Sequence, residues 1–246
     1  MFMNKKSALT LLLLIVFLLA ACSAPADVDT AEVESGEVVA IVNDENIYEA
    51  EYQKVVDRMV WSYEQQGMEF TGEDGEILLQ DIRDGVIEHL IQQKVMMQEA
   101  SSLGLTVTDE QVTAELEGLK AQFDTEEAFQ DVLDRTMFTE QELRETLHTE
   151  MTIEALLQRS VDDITVEESE IVARYENYEA QYEAQREILE ASEEEISEEE
   201  MAMMQLPPYD DIKNDLELQI LQEKQQERML VYVEELKAAS EIEILI

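Results

Sequence analysis

Apolar positions follow different rhythms in different parts of the chain. They are continuous from Leu9 to Leu19, form a short β-branched run at Val38-Val39-Ala40-Ile41-Val42, and recur at helical spacing from about Glu49 to Ser240. The β-branched run predicts one strand, closed by Asn43-Asp44-Glu45-Asn46, whose Asn and Asp tolerate the left-handed backbone of a tight turn. Between Ile77 and Ser101, Leu78, Ile82, Val86 and Leu90 make one i, i+4 row and Ile87, Ile91 and Val95 a second; together they form one wide buried face. Gly104 supplies the stop of that helix. Thr108-Asp109-Glu110-Gln111 has the capping-box form and opens a helix with Val112, Leu116, Leu119 and Phe123 on one stripe. The same box at Thr139–Glu142 and Thr165–Glu168 predicts further helices joined by short turns.

The pattern thins from Glu167 to Glu200, where fourteen acidic residues stand against Arg174 and Arg186 and few apolar residues follow Tyr182. Pro207-Pro208 starts a last helix, expected to carry Ile212, Leu216, Ile220, Leu230, Val233 and Leu236 on its inner side. Ile242, Ile244 and Ile246 then alternate as in a strand. Neither terminal strand is long enough to stand alone, so the two are expected to pair. The predicted fold is mainly α, a multi-helix domain closed by a small sheet of the N- and C-terminal strands.

The first residues change the cellular picture. Lys5 and Lys6 precede an uncharged stretch whose apolar core, Leu9 to Ala21, is short for a ~30 Å hydrocarbon layer and ends in small residues, the form of an export signal. Leu19-Ala20-Ala21-Cys22 looks like a lipoprotein lipobox, which predicts cleavage after residue 21 and a diacylglycerol on Cys22, the only cysteine. Without a second cysteine there is no internal disulfide, so packing alone must hold the fold. Ser23 to Glu37 is polar and aperiodic and reads as a tether.

A formal charge of −43 excludes a nucleic-acid partner, which needs a basic surface, and leaves the lipid to hold the protein at a membrane. His89 and His148 lie on separate helices without a second histidine or cysteine at ligand spacing, so no metal site and no cofactor are expected. Glu193-Glu194-Glu195 and Glu198-Glu199-Glu200 lack the glycine-turned spacing of a calcium loop and read as a solvated face. No nucleophile elbow or phosphate loop occurs. What remains is apolar binding. Methionine adapts to irregular partners, and Met59, Trp61, Met68 and Phe70, close to a helix end beside glycines, are the candidate client-binding residues.

Val39-Ala40-Ile41-Val42-Asn43, then Ile47 and Glu49-Ala50-Glu51-Tyr52, resemble the opening of the SurA N-terminal domain family, which includes the PrsA-type lipoprotein foldases. Asp44 and Tyr48 depart from the glycine and the Ser or Thr cap usual there. Ile164 to Asn177 resembles the helix that leads into the family's inserted parvulin isomerase domain. Pro207 to Ile212, Leu221 to Gln226 and Val233 to Lys237 resemble the helix that follows it. The resemblance implies an N-terminal chaperone module over 38–165, completed by 207–246. The stretch 166–206 stands where the isomerase would be, yet from Asn177 to Pro207 it has no glycine, histidine, cysteine or phenylalanine. It is expected to be an acidic helical connection. The function so implied is that of a lipid-anchored, extracytoplasmic, non-catalytic chaperone for unfolded segments of exported polypeptides. The alternatives are an isomerase-family enzyme with residual activity and a partner-specific surface scaffold.

Overall fold

A computed structural model describes residues 36–191 and 206–246, with the backbone alone for 189–191. Among the described residues are three strands and seven helices. Strand β1 (Val38–Val42) turns through Asn43 (φ 48°) and Asp44 (φ 69°) into β2 (Glu45–Tyr48). Two successive left-handed residues give a two-residue hairpin turn whose twist matches that of paired strands. The turn lies where the sequence puts it, but Glu45 and Asn46 belong to a second strand that periodicity did not reveal, because four residues with one fully buried side chain, Ile47, carry too short a rhythm. Strand β3 (Ile242–Ile244) pairs antiparallel with the other edge of β1, Ala40 opposite Ile244 and Val42 opposite Ile242, giving the order β2-β1-β3. The expected pairing of the two ends of the chain is therefore present.

The helices are α1 (Glu49–Gln65), α2 (Gly72–Ser102), α3 (Asp109–Lys120), α4 (Glu126–Arg135), α5 (Glu140–Val161), α6 (Glu168–Ala191) and α7 (Tyr209–Ala239). The chain divides into two compact units, one of residues up to Arg159 with Val233–Ile246 and the other of Ser160–Tyr232.

In the first unit both predicted rows of α2 are buried except at Leu78, which is half-buried, and Ile82, Val86, Leu90 and Val95 pack in one core with Val39, Val42, Ile47 and Val56. Each such side chain contributes about 1.5–3 kcal/mol on leaving water. Gly104 (φ 65°) ends α2 as expected: the Leu105 N–H donates to the Ala100 carbonyl at 2.9 Å and the Gly104 N–H to that of Ser101 at 3.0 Å. A second core of Val112, Leu116, Leu119, Phe129, Leu133 and Leu143 joins α3, α4 and α5. Phe123, beyond the end of α3, meets Phe129 edge-on at 5.4 Å. The Thr108 and Thr139 capping boxes form: each Thr hydroxyl accepts from the third helical N–H, and each Thr backbone N–H donates to the side-chain oxygen of that third residue, Gln111 or Glu142.

In the second unit Ile171, Leu216 and Ile220 are the buried centre between α6 and α7. The capping box expected at Thr165–Glu168 does not form; the helix starts at Glu168, and the Glu167 N–H donates to Glu170 Oε2 at 2.8 Å, half of such a box two residues later. Arg174 holds Glu223 at 2.6 Å and Lys224 holds Glu170 at 2.9 Å across the pair. Leu230 of α7 is 64% exposed, against expectation. At 3.6 residues per turn Leu236 lies roughly 200° round the helix from Leu216, so the row of apolar residues is two faces rather than one inner side.

Candidate client-binding surface

Helix α1 ends in a turn that sets the candidate residues apart. Gly67 (φ 86°) follows the last turn, and the Met68 N–H donates to the Tyr63 carbonyl at 3.1 Å, so the chain reverses where only glycine fits without strain. Met68 beyond it is 41% exposed. Phe70 is half-buried against the β1–α2 core, as is Met59. The position of Phe70 is fixed by Gly75 in the first turns of α2: a Cβ there would lie 2.5 Å from the Phe70 carbonyl carbon. Trp61 is half-buried on α1. Positions two apart on a helix differ by about 200° round its axis, so Trp61 points away from the side that Met59 gives to the core. The fold thus joins Met59 and Phe70 at one core, leaves Met68 in the open at the turn above it, and sets Trp61 on a separate face.

Arg58 is the residue that composition and periodicity did not single out. It is 8% exposed, and its guanidinium carbon stands 3.6 Å from the centre of the Phe138 ring. Its Nη2 donates to the Met137 carbonyl at 2.7 Å and to Glu142 Oε2 at 3.2 Å, and Nε donates to the same carbonyl at 3.2 Å. Lys54 also pairs with Glu142. Met137 has φ 57° and occupies the place a glycine usually takes after a helix. Arg58 therefore pins α1 to a strained corner between α4 and α5.

A groove of about 490 Å³ opens between α1, α2 and the C-terminal strand. Its floor is Tyr52 and Ile87, both buried, and its rim includes Glu49, Arg83 and Asp84, with Ile244 and Ile246 on the strand side. Burial pushes the Tyr52 hydroxyl pKa up, against the pull of Arg83 and with the push of Glu49 and Asp84. Glu88, at the same groove, is held below the usual carboxylate range by its bond to Lys237.

Comparison with known proteins bears on this geometry. The profile of the SurA-like N-terminal domain matches residues 1–157. The chain belongs to that family. The foldase protein PrsA of Caldanaerobacter subterraneus is 29% identical over 198 residues, 75% of this chain and 55% of the relative. PrsA of Clostridium botulinum is 26% identical over 184 residues, 70% of this chain and 54% of the relative. The chain thus spans about half the length of these curated relatives. A solved structure from Campylobacter jejuni, described among two SurA-like chaperones, PEB4 and Cj1289, superposes with a TM-score of 0.53 at 13% identity. It covers 85% of this chain and 98% of that one. The SurA-like fold is therefore shared where little sequence is.

In this SurA-like chain the other sequence candidates are dispersed. His89 and His148 are half-buried on α2 and α5. Among the described residues no group of three His, Cys, Asp or Glu could hold a metal ion, and no helix is long and apolar enough to cross a membrane. Cys22, the export signal, most of the tether and the Glu193–Glu200 runs lie outside the described residues. On α5, burial first and Glu154 second push the Glu150 carboxyl pKa up to about 8.

Proposed function

We propose that this protein is a chaperone of the extracytoplasmic face, anchored through a lipid on Cys22, that holds unfolded segments of exported polypeptides and catalyses no reaction of its own. The observation that carries the reading is the match of the SurA-like N-terminal domain over residues 1–157, supported by relatives named as foldases and a solved relative named as a SurA-like chaperone. The module is 38–165 completed by 207–246, with 166–206 as an acidic connection. Met68, with Met59 and Phe70 beneath it, and Trp61 on its separate face supply apolar contacts to clients, and the surplus of acidic residues draws basic segments and speeds their encounter.

The test is a lipid-free chain starting at Ser23, mixed with an unfolded, cysteine-free client. It slows aggregation at near-stoichiometric ratio, and Trp61→Ala mainly speeds client dissociation. It does not accelerate prolyl isomerisation in a short peptide; acceleration above background turns the assignment to an isomerase-family enzyme. Failure to bind any unfolded client turns it to a partner-specific scaffold. Cys22→Ala abolishes uptake of labelled palmitate and partitioning with membranes, and continued uptake refutes the anchor.

A further inference from the structure

Strand β3 is an edge of its sheet, since the order is β2-β1-β3. The Leu245 N–H donates to the Val39 carbonyl at 2.8 Å, and the Asn43 N–H donates to the Glu241 carbonyl at 2.9 Å. In an antiparallel ladder the inward-bonding residues alternate with residues whose N–H and C=O face away. Ile242 and Ile244 therefore present both backbone groups outward, and no strand among the described residues covers them. Ile244 and Ile246 are 50% and 60% exposed and form one side of the α1–α2 groove. An uncovered strand edge is a template for pairing, and the charge within this strand is the acidic, exposed Glu243, which favours a cationic partner.

We propose that β3 and the groove beside it take an extended, basic and apolar polypeptide segment as a fourth strand of the sheet. The proposal rests on the chaperone reading for the source of the segment and adds its place and chemistry. Backbone groups of Ile242 and Ile244 supply the ladder, Ile87 and Tyr52 meet apolar side chains, and Glu49 and Asp84 meet cationic ones. Charge selects this occupant over a second copy of the chain, because 59 acidic against 16 basic residues make two copies repel and attract a cationic segment.

The probe is a fluorescent peptide of about eight residues alternating lysine and valine, long enough to exceed the strand it joins. Two versions carry N-methyl groups on alternate residues, one set in each. The set that faces β3 loses affinity on the order of tenfold, as expected for one or two lost hydrogen bonds, and the other binds as the parent does. Ile244→Pro removes an outward N–H and leaves the Leu245 bond in place; it weakens the parent peptide by a similar factor at an unchanged melting temperature. Replacing lysine by glutamate in the peptide abolishes binding. Equal loss or equal retention with both methylated sets, or undiminished binding of the glutamate peptide, overturns the site. A dimer that Ile244→Pro dissociates overturns it in favour of a second copy. Suppression of client aggregation that survives such a negative result leaves the chaperone reading standing. Set-dependent peptide binding without any suppression supports the strand edge and sinks that reading instead.

Discussion

Asn43 and Glu241, 198 positions apart, exchange two hydrogen bonds: the Asn43 N–H donates to the Glu241 carbonyl at 2.9 Å and the Glu241 N–H donates to Asn43 Oδ1 at 2.8 Å. The Asn43 amide also donates to Gln98 at 2.8 Å and Ser240 at 3.0 Å, so one side chain at a hairpin tip ties β1 to the end of α2 and the start of β3. Asn43→Ala is expected to cost about 3–5 kcal/mol, from three lost side-chain bonds of ~1 kcal/mol each and from alanine at φ 48°. Asn43→Gly relieves the backbone cost and keeps the loss of the clasp, so it falls between the two in urea unfolding. Three indistinguishable midpoints would show that the clasp contributes nothing.

Arg58 couples α1 to the Met137 corner. Arg58→Ala leaves the Met137 carbonyl without its buried donor, while Glu142 keeps Lys54, and is expected to cost about 2–3 kcal/mol. Arg58→Lys recovers only part, since an ammonium lacks the planar fork that reaches the carbonyl and the carboxylate while lying on Phe138. Chemical denaturation of the three proteins decides it; full recovery by lysine would reduce the arrangement to simple charge pairing.

The raised pKa of Glu150, about 8 against an ordinary 4.5, makes stability depend on pH. Between those values the folded state binds more protons than the unfolded state, so stability is highest at the acid end of the window and falls as pH rises toward 8. Glu150→Gln, neutral throughout, is expected to melt higher than the parent at pH 8 and to flatten the fall. Parallel melting curves for the two proteins from pH 5 to pH 8 would show that this carboxyl is not desolvated.

Gly75→Ala forces a Cβ against the Phe70 backbone and is expected to destabilise the first unit by about 1–3 kcal/mol while exposing the 66–71 turn to protease. Gly85→Ala in the same helix meets nothing within 4 Å and is expected to stabilise by about 0.5–1 kcal/mol. Comparable urea midpoints for both would mean that the 66–71 turn yields to the methyl without cost.

Local chemistry in the sequence determined the helices, the Asn43-Asp44 turn, the Gly104 stop and the Thr108 and Thr139 caps, because each depends on residues within one or two turns of chain. It also determined that Val38–Val42 and Ile242–Ile244 had to meet, since neither is stable alone. Tertiary structure decided what depends on distant partners. Glu45–Tyr48 is a strand because β1 offers it an edge, and Leu230 is exposed together with the adjacent Val231 although Leu216 and Ile220 on the same helix are buried. Arg58 is buried only because Phe138 and the Met137 carbonyl arrive from eighty or so residues away, a separation that no periodicity along the chain records. The groove beside β3 has the same origin: its residues come from α1, α2 and the end of the chain, and packing alone gathers them.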